Sequence, residues 1–474
     1  MTPSTRTLLK VCLRLYLIGV ALALPSNKHE HERNYKPQDV IIRDVCIIGG
    51  GSTGTYSAIR LRDMGKSVAV VEIKDRLGGH TETYIDPVSH VPIDYGVEFF
   101  HNLSLVTDWF TRLGVSWTKA IIPPINTQNV DFRTGIIDAS YVPASQAALG
   151  QALGVWTSLL LKYPTLNYGF ILPDPVPDEL LTPFRDTVKK YSLDALVYLI
   201  FEFRQESILD QPTLYVMKNF GLDLINNIIN GFLTTADHDN SEIYQKALGI
   251  LGTDALLSSK VENIDRPSSP SANYTISIAV STPSGRKLIV AKKLLITIPP
   301  LPHILDFLDL TDAERDVFSQ FNFVGYWTSI VRHDGIPDDI QINNIGADTP
   351  YNLPVLPGII SITQTGVPGL HGVKFGSPYA MSDDDVKNSI IDTFKRLKTG
   401  GADVNATAPD FVVFSSHTPF DLKVGADAIK AGFYEKMYAL QGVRGTWWTG
   451  AAWNVHDSSL LWAFTEGVLP SLLA

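Results

Sequence analysis

DVCIIGGGSTGTYSAIRLRDMGKSVAVVE, residues 44–72, decides the fold. A short apolar strand, Val45-Cys46-Ile47-Ile48, runs into the tight turn Gly49-Gly50-Gly51-Ser52-Thr53-Gly54. A helical pattern with Ala58, Ile59 and Leu61 follows and ends near Gly65. A second apolar strand, Ser67 to Val71, closes on Glu72. The order is that of a βαβ unit carrying G-x-G-x-x-G at Gly49, Gly51 and Gly54, with an acid about 20 residues further on. Gly49 permits the turn, Gly51 leaves room for a pyrophosphate, and Gly54 lets helix and strand pack closely. Free N–H groups at the helix start, around Ser52 and Thr53, suit phosphates. Glu72 is placed to accept the hydroxyls of an adenosine ribose, and its charge repels a 2′-phosphate. A glycine triplet alone also fits an ordinary turn in an α/β core. Strand, turn, helix, strand and acid in sequence point to a dinucleotide.

The 474 residues are 45% hydrophobic and 19% charged, enough for a large core and about two or three domains. Arg6 and Lys10 precede the apolar run Leu15–Leu24, and Ala21-Leu22-Ala23 offers a small-x-small cleavage site, although Arg14 interrupts the pattern. Residues 1–23 read as a secretory signal peptide, so the mature chain is expected to be secreted and free of the membrane. Its removal takes three basic residues and moves the formal net charge from −10 to −13. That acidic balance argues against nucleic acid and anionic membranes as partners. Cys12 leaves with the signal, and Cys46, inside the first strand, reads as a buried thiol. Asn102, Asn273 and Asn405 begin N-x-S/T sequons for glycosylation. Residues 24–43 lack periodicity and read as an exposed leader. Its His29 and His31 belong to a solvated tail, and no metal site is expected.

After Glu72 comes Lys74-Asp75-Arg76-Leu77-Gly78-Gly79-His80. Together with the βαβ unit, this resembles the flavin-containing amine oxidoreductase superfamily, which carries E-x-x-x-R-x-G-G-R here. Glu72, Arg76, Gly78 and Gly79 match, and His80 replaces the last arginine. The resemblance implies that this segment wraps the ribityl and pyrophosphate of FAD. The segment Ile93–Phe100 is similar to the family piece beside the flavin. The resemblance further implies that Val261 touches the adenine and that the strand Leu288–Ile298, ending in Pro299-Pro300, closes the cofactor domain. At Thr446-Trp447-Trp448-Thr449-Gly450-Ala451-Ala452-Trp453 a strand runs into a glycine turn. His456-Asp457-Ser458-Ser459 then opens a last apolar helix through Leu469. In the family such a helix start faces the flavin pyrimidine, a role that falls to Gly450, Asp457, Ser458 and Ser459.

The implied fold class is α/β: a discontinuous, amine oxidase-type Rossmann-like FAD-binding domain (44–100, 241–300 and 431–474) and a mixed-sheet plus helical substrate domain (101–240 and 301–430). Residues 101–240 look largely helical, with apolar spacing around Leu105–Leu113, Leu149–Leu161, Tyr191–Phe203 and Leu222–Leu233, and proline breaks at Pro123-Pro124 and Pro173–Pro183. Their aromatics, including Trp109, Trp117, Trp156, Tyr163, Tyr168 and Phe170, are expected in the core. Strands are predicted near Ala255–Ile264, Tyr326–Arg332, Ile359–Thr363 and Phe411–Phe414, and a helix over Asp383–Leu397.

Three departures argue against simple amine oxidation. Ala452 stands where many members have an acid. Leu460 stands where amine-oxidising members have a cage tyrosine. No cysteine near residue 450 is available for a thioether to the flavin. Candidate acid–base residues are Lys374, by resemblance to a lysine that holds a water near the flavin, and His101, by its near-neutral intrinsic pKa. Both also read as surface residues. The run Gly432-Phe433-Tyr434…Leu440-Gln441-Gly442 before Thr446, with His80 and the signal segment, resembles a group of fungal enzymes like β-cyclopiazonate dehydrogenase. The expected activity is FAD-dependent hydride removal from a small organic substrate, at a C–H next to nitrogen or a conjugated system. Oxygen or another acceptor takes the electrons, and ring closure can follow. The rival readings are a flavin-dependent double-bond isomerase, an FAD-binding protein without turnover, and an NAD-dependent dehydrogenase.

Overall fold

The structure, a computed structural model, describes residues 35–121, 126–267, 275–397 and 407–474. The expected signal segment 1–23, the leader as far as residue 34, Pro123-Pro124, and the sequons at Asn273 and Asn405 lie outside the described residues.

The first strand, Val40–Ile48, is longer than the apolar run suggested. Residues 40–43, expected in the leader, pair in parallel with Leu288–Ala291. They escape a periodicity argument because this half of the strand is only partly covered: Ile42 is 69% exposed, and Arg43 pairs with Asp254 at 2.6 Å. The other half, Val45–Ile48, is buried on both faces. Val45 and Ile47 face one apolar cluster, Cys46 and Ile48 the other, as strand alternation requires. Each buried side chain of this size contributes roughly 1.5–3 kcal/mol.

The first sheet runs in the order 260–265, 276–282, 285–296, 40–48, 68–71, 255–256, and Thr446–Trp448 extends the strand 285–296 in parallel at Leu294–Ile296. The stretch predicted as one strand, Ala255–Ile264, is two strands on opposite edges of this sheet, Ala255–Leu256 and Lys260–Asp265. The break falls at Ser258, whose φ is 47°. Helices Ser52–Asp63, Ser104–Leu113, Ser241–Leu251 and Ser458–Leu473 cover one face through Tyr56, Trp109, Tyr244 and Trp462. The first and last of these are clamped by Glu466, which accepts from Arg60 at 2.6 Å and from Tyr56 at 2.8 Å.

The second sheet has eight strands around 322–332, 370–377 and 358–364, backed by the helix Asp383–Arg396. It recruits Asn126–Asp131 from the region expected to be helical, in parallel with Ile340–Asn344. Trp117–Lys119 likewise pairs with Leu233–Thr235. Such short strands are specified by a distant partner rather than by local pattern. Trp109, Trp156 and Phe170 are core, as expected, but Trp117 and Tyr168 are exposed.

Candidate active site

A single cleft of about 610 Å³ is lined by loops of the first sheet, by Tyr326 and Lys374 of the second, and by the helices between. Its first end is made of backbone. Gly49 has φ 99°, and a Cβ on Gly54 would lie 1.9 Å from the Gly49 carbonyl oxygen, so both glycines serve the turn itself. Gly51 differs. A Cβ there would meet nothing closer than Gly79 Cα at 3.7 Å. Side-chain packing does not require that glycine, and the space in front of it is open to a ligand.

Two helix starts converge here. Ser52, first residue of its helix, donates from Oγ to Ser458 Oγ, first residue of the last helix, at 2.9 Å. Trp462 Nε1 donates to Ser52 Oγ at 3.0 Å. Asp457 caps the last helix, accepting from the Leu460 N–H at 2.9 Å. Helix N-termini carry partial positive charge, so two at one point favour an anionic occupant. Glu72 lines the same end. Its carboxylate accepts from the Gly50 N–H at 2.6 Å and the Lys74 N–H at 2.7 Å. A carboxylate has about four lone-pair sites, so fixing it this way leaves capacity for ribose hydroxyls.

Of the residues singled out in the sequence, Gly49, Gly51, Ser52, Thr53, Glu72, Gly79, His80, His101, Lys374, Gly450, Asp457 and Ser458 line the cleft. Gly54, Arg76, Val261 and Ser459 do not. Arg76 braces the loop from outside, donating to the carbonyls of Gly79 and Thr81 and to Glu82 at 2.7 Å. Ser459 accepts the His101 N–H at 2.9 Å. Val261 is buried beside a separate surface groove, although nearby Ser259 donates its N–H to the Glu72 carbonyl. His80 stacks on His417, with centroids 4.1 Å apart and planes 7° apart. Burial, then His417 and His456, hold its pKa well below the ordinary histidine value. A neutral ring therefore stands where the family has a cation. His417 meets Glu82 at 3.1 Å.

The other end of the cleft is made of charged side chains on apolar walls. Lys374 is partly buried, not on the surface, and pairs with Glu98 at 2.8 Å. Burial works against its charge, but Glu98 outweighs it and keeps the pKa above the usual lysine value. His101 belongs instead with the last helix start: it is buried, with Nε2 3.4 Å from Asp457 and an Nδ1 that has no partner among the described residues. Glu202, Arg204, Lys218, His417, Asp421 and His456 also line the cleft, and the sequence reading missed them. Arg204 reaches Asp421 at 2.6 Å. His456 accepts the Asp421 N–H at 2.8 Å, and burial pushes its pKa down to about 4. Burial pushes Glu202 up to about 7, against a 3.1 Å hydrogen bond from Asn343. The overlooked signal was charge inside apolar helical runs: Glu202 and Arg204 follow Leu199-Ile200-Phe201, and Lys218 follows Tyr215-Val216-Met217.

A family profile described as an NAD(P)-binding Rossmann-like domain matches residues 47–113. The FAD-dependent oxidoreductase oblC of Cochliobolus heterostrophus is 40% identical, with 93% of each chain covered. The chain belongs to the FAD-dependent oxidoreductases. This FAD-dependent oxidoreductase is also 34% identical to the FAD-dependent oxidoreductase pigF of Monascus ruber, over 98% of this chain and 99% of the other. It is 35% identical to β-cyclopiazonate dehydrogenase of Aspergillus flavus, over 92% and 94%. Among solved structures, a CLA-producing fatty acid isomerase from P. acnes superposes with a TM-score of 0.73 at 18% identity, covering 91% of this chain and 99% of that one. A putrescine oxidase variant superposes with a TM-score of 0.63 at 14% identity, covering 92% and 99%. These likenesses show the shared amine oxidase-type fold. FAD fits the cleft on the chain's own terms: an open glycine at residue 51, paired helix starts, a fixed carboxylate at Glu72 and an unsatisfied His101 Nδ1.

Proposed function

We propose that this FAD-dependent oxidoreductase removes a hydride from a small, largely apolar organic substrate in secondary-metabolite biosynthesis. The reacting C–H lies next to nitrogen or a conjugated system, and the oxidised product closes a ring where it carries an internal nucleophile. The observation that carries this reading is the continuity of one cleft from the glycine loop to Lys374, Glu202 and Phe420. The relative named β-cyclopiazonate dehydrogenase supports the substrate class. Oxygen or another acceptor takes the electrons afterwards.

The Gly51–Thr53 loop and Ser458 would hold the diphosphate, and Glu72 the ribose. Bound flavin supplies hydride acceptance, and the protein supplies position and electrostatics. Tyr326, Phe232 and Phe420 give the cleft aromatic walls. Lys374, kept as a cation by Glu98, orients an electron-rich substrate atom or a water and does not accept a proton. Neutral His80 and His456 add polar contacts without charge. Glu202, titrating near neutrality, can hold or release a proton at its carboxyl.

An absorption spectrum of the purified protein, followed by mass spectrometry of candidate metabolites incubated with it, tests the proposal. Flavin bands that bleach with a substrate, and a product lighter by two hydrogens, are expected. An unchanged product mass would replace oxidation by double-bond isomerisation. A colourless protein that FAD does not reconstitute would overturn both.

A further inference from the structure

Among the described residues, other buried or partly buried cations come with carboxylates. Lys374 has Glu98, Arg204 has Glu206 and Asp421, and Arg266 has Glu314. Lys218 breaks the pattern. It lies on the helix Thr213–Asn219, is 3% exposed, and lines the cleft. Its Nζ hydrogen-bonds to the side-chain oxygen of Asn454, a neutral partner, and stands 5.6 Å from the centroid of Phe170. Asn454 is itself fixed, because its Nδ2 donates to the Leu460 carbonyl at 3.0 Å. The amide oxygen is therefore held towards the amine.

Oxidation of a C–H bond next to nitrogen, oxygen or a conjugated system removes a hydride and a proton. Flavin accepts hydrides; the proton needs an acceptor among the side chains. We propose that the amine of Lys218 is that acceptor. The inference rests on the oxidative reading above. The substrate's N–H, O–H or activated C–H bond breaks and its electron pair stays on the substrate. That pair forms the new π bond as the hydride and its two electrons leave to the flavin. The proton forms an N–H bond at Nζ, and the resulting ammonium donates to Asn454.

The surroundings suit a neutral amine. Burial pushes the Lys218 pKa down to about 7; Asp457 and Asp223, the charges facing it from the last helix and from the first turn of Leu222–Asn230, pull it back only partly. Asp457 also stands 3.4 Å from His101 Nε2, and the Tyr438 hydroxyl, beside Phe170, is engaged with the Trp453 carbonyl.

Trace acetylation of the flavin-loaded protein with acetic anhydride across pH, read by peptide mass spectrometry, tests the site without substrate. Lys218 should reach half-maximal labelling near pH 7, whereas surface lysines follow their ordinary pKa of about 10.4. Asn454→Asp places a carboxylate against the amine and should cut Lys218 labelling at neutral pH at least tenfold, as a charge partner typically shifts a pKa by about 1–3 units. Labelling that rises only with the surface lysines, that never occurs, or that Asn454→Asp leaves unchanged would overturn the proposal. With a substrate that bleaches the flavin, Lys218→Arg should slow bleaching at least ~100-fold, the usual scale of general-base catalysis. An unchanged rate would overturn the role. A labelling failure leaves substrate bleaching intact, whereas failure of the oxidative reading appears as a protein without flavin bands or a product of unchanged mass.

Discussion

One end of the cleft is built of backbone and the other of side chains. At the first, Gly49, Gly51, Gly79 and Gly450 bring main chain to the lining, and two helix starts supply the polarity. At the second, Lys374 pairs with Glu98 and Arg204 with Asp421 on apolar walls. A backbone end admits one shape of ligand and changes only by breaking. A side-chain end changes by substitution while its frame stands. One part of the lining thus follows from the chain's path, and the other from its side chains.

The sharpest way to break the comparison uses two glycines three residues apart. Gly54→Ala puts a methyl 1.9 Å from the Gly49 carbonyl. We expect a loss of roughly 3 kcal/mol or more, the upper range of overpacking, with no flavin retained, measured by thermal unfolding and absorbance. Gly51→Val should cost the apoprotein about 1 kcal/mol, because Gly51 is the N-cap of the helix Ser52–Asp63 and valine caps poorly, yet weaken FAD binding about 100-fold or more by displacing the phosphate, read by titration. If both variants fail to fold, the backbone end serves packing alone and the contrast collapses.

At the other end, Lys374→Met should leave flavin content unchanged and slow substrate bleaching about 100-fold, the scale of losing one preorganised donor. Loss of flavin instead would move Lys374 to the cofactor side. Glu202 gives a pH signature. Its folded pKa of about 7 lies above the ordinary glutamate value, so the folded chain binds the extra proton. The stability from this group is full below about pH 4.3 and is lost as pH rises through about 7. Glu202→Gln should flatten that part of the dependence of unfolding midpoint on pH. The smallest effect belongs to Asp457→Ala, which removes the cap on the last helix and should cost about 1 kcal/mol, measured by denaturant unfolding.

The division between the two ends also explains what could be read from the chain. The glycine spacing, Glu72 and the Thr446–Ser459 strand, turn and helix are local signals, because each follows from backbone geometry over a few residues. The second sheet is not local: Asn126–Asp131 becomes a strand only because Ile340–Asn344 lies beside it. The first strand outran its apolar run for the same reason, its early residues being held by Leu288–Ala291. Site chemistry was legible only where a family pattern reached it. His80 reads as a departure, but its neutrality comes first from burial and then from His417, more than 300 residues away. Lys374 looked like a surface lysine until Glu98 was placed beside it.

The hydrogen bond between Ser52 and Ser458 joins residues 406 apart in sequence. Synthesis runs from the amino end, so a nascent chain that has reached residue 440 already carries the glycine loop and Glu72 but lacks the strand Thr446–Trp448 and the helix that completes the floor of the site. The floor of the site is thereby assembled from the two extremes of the described chain, and neither extreme forms it alone.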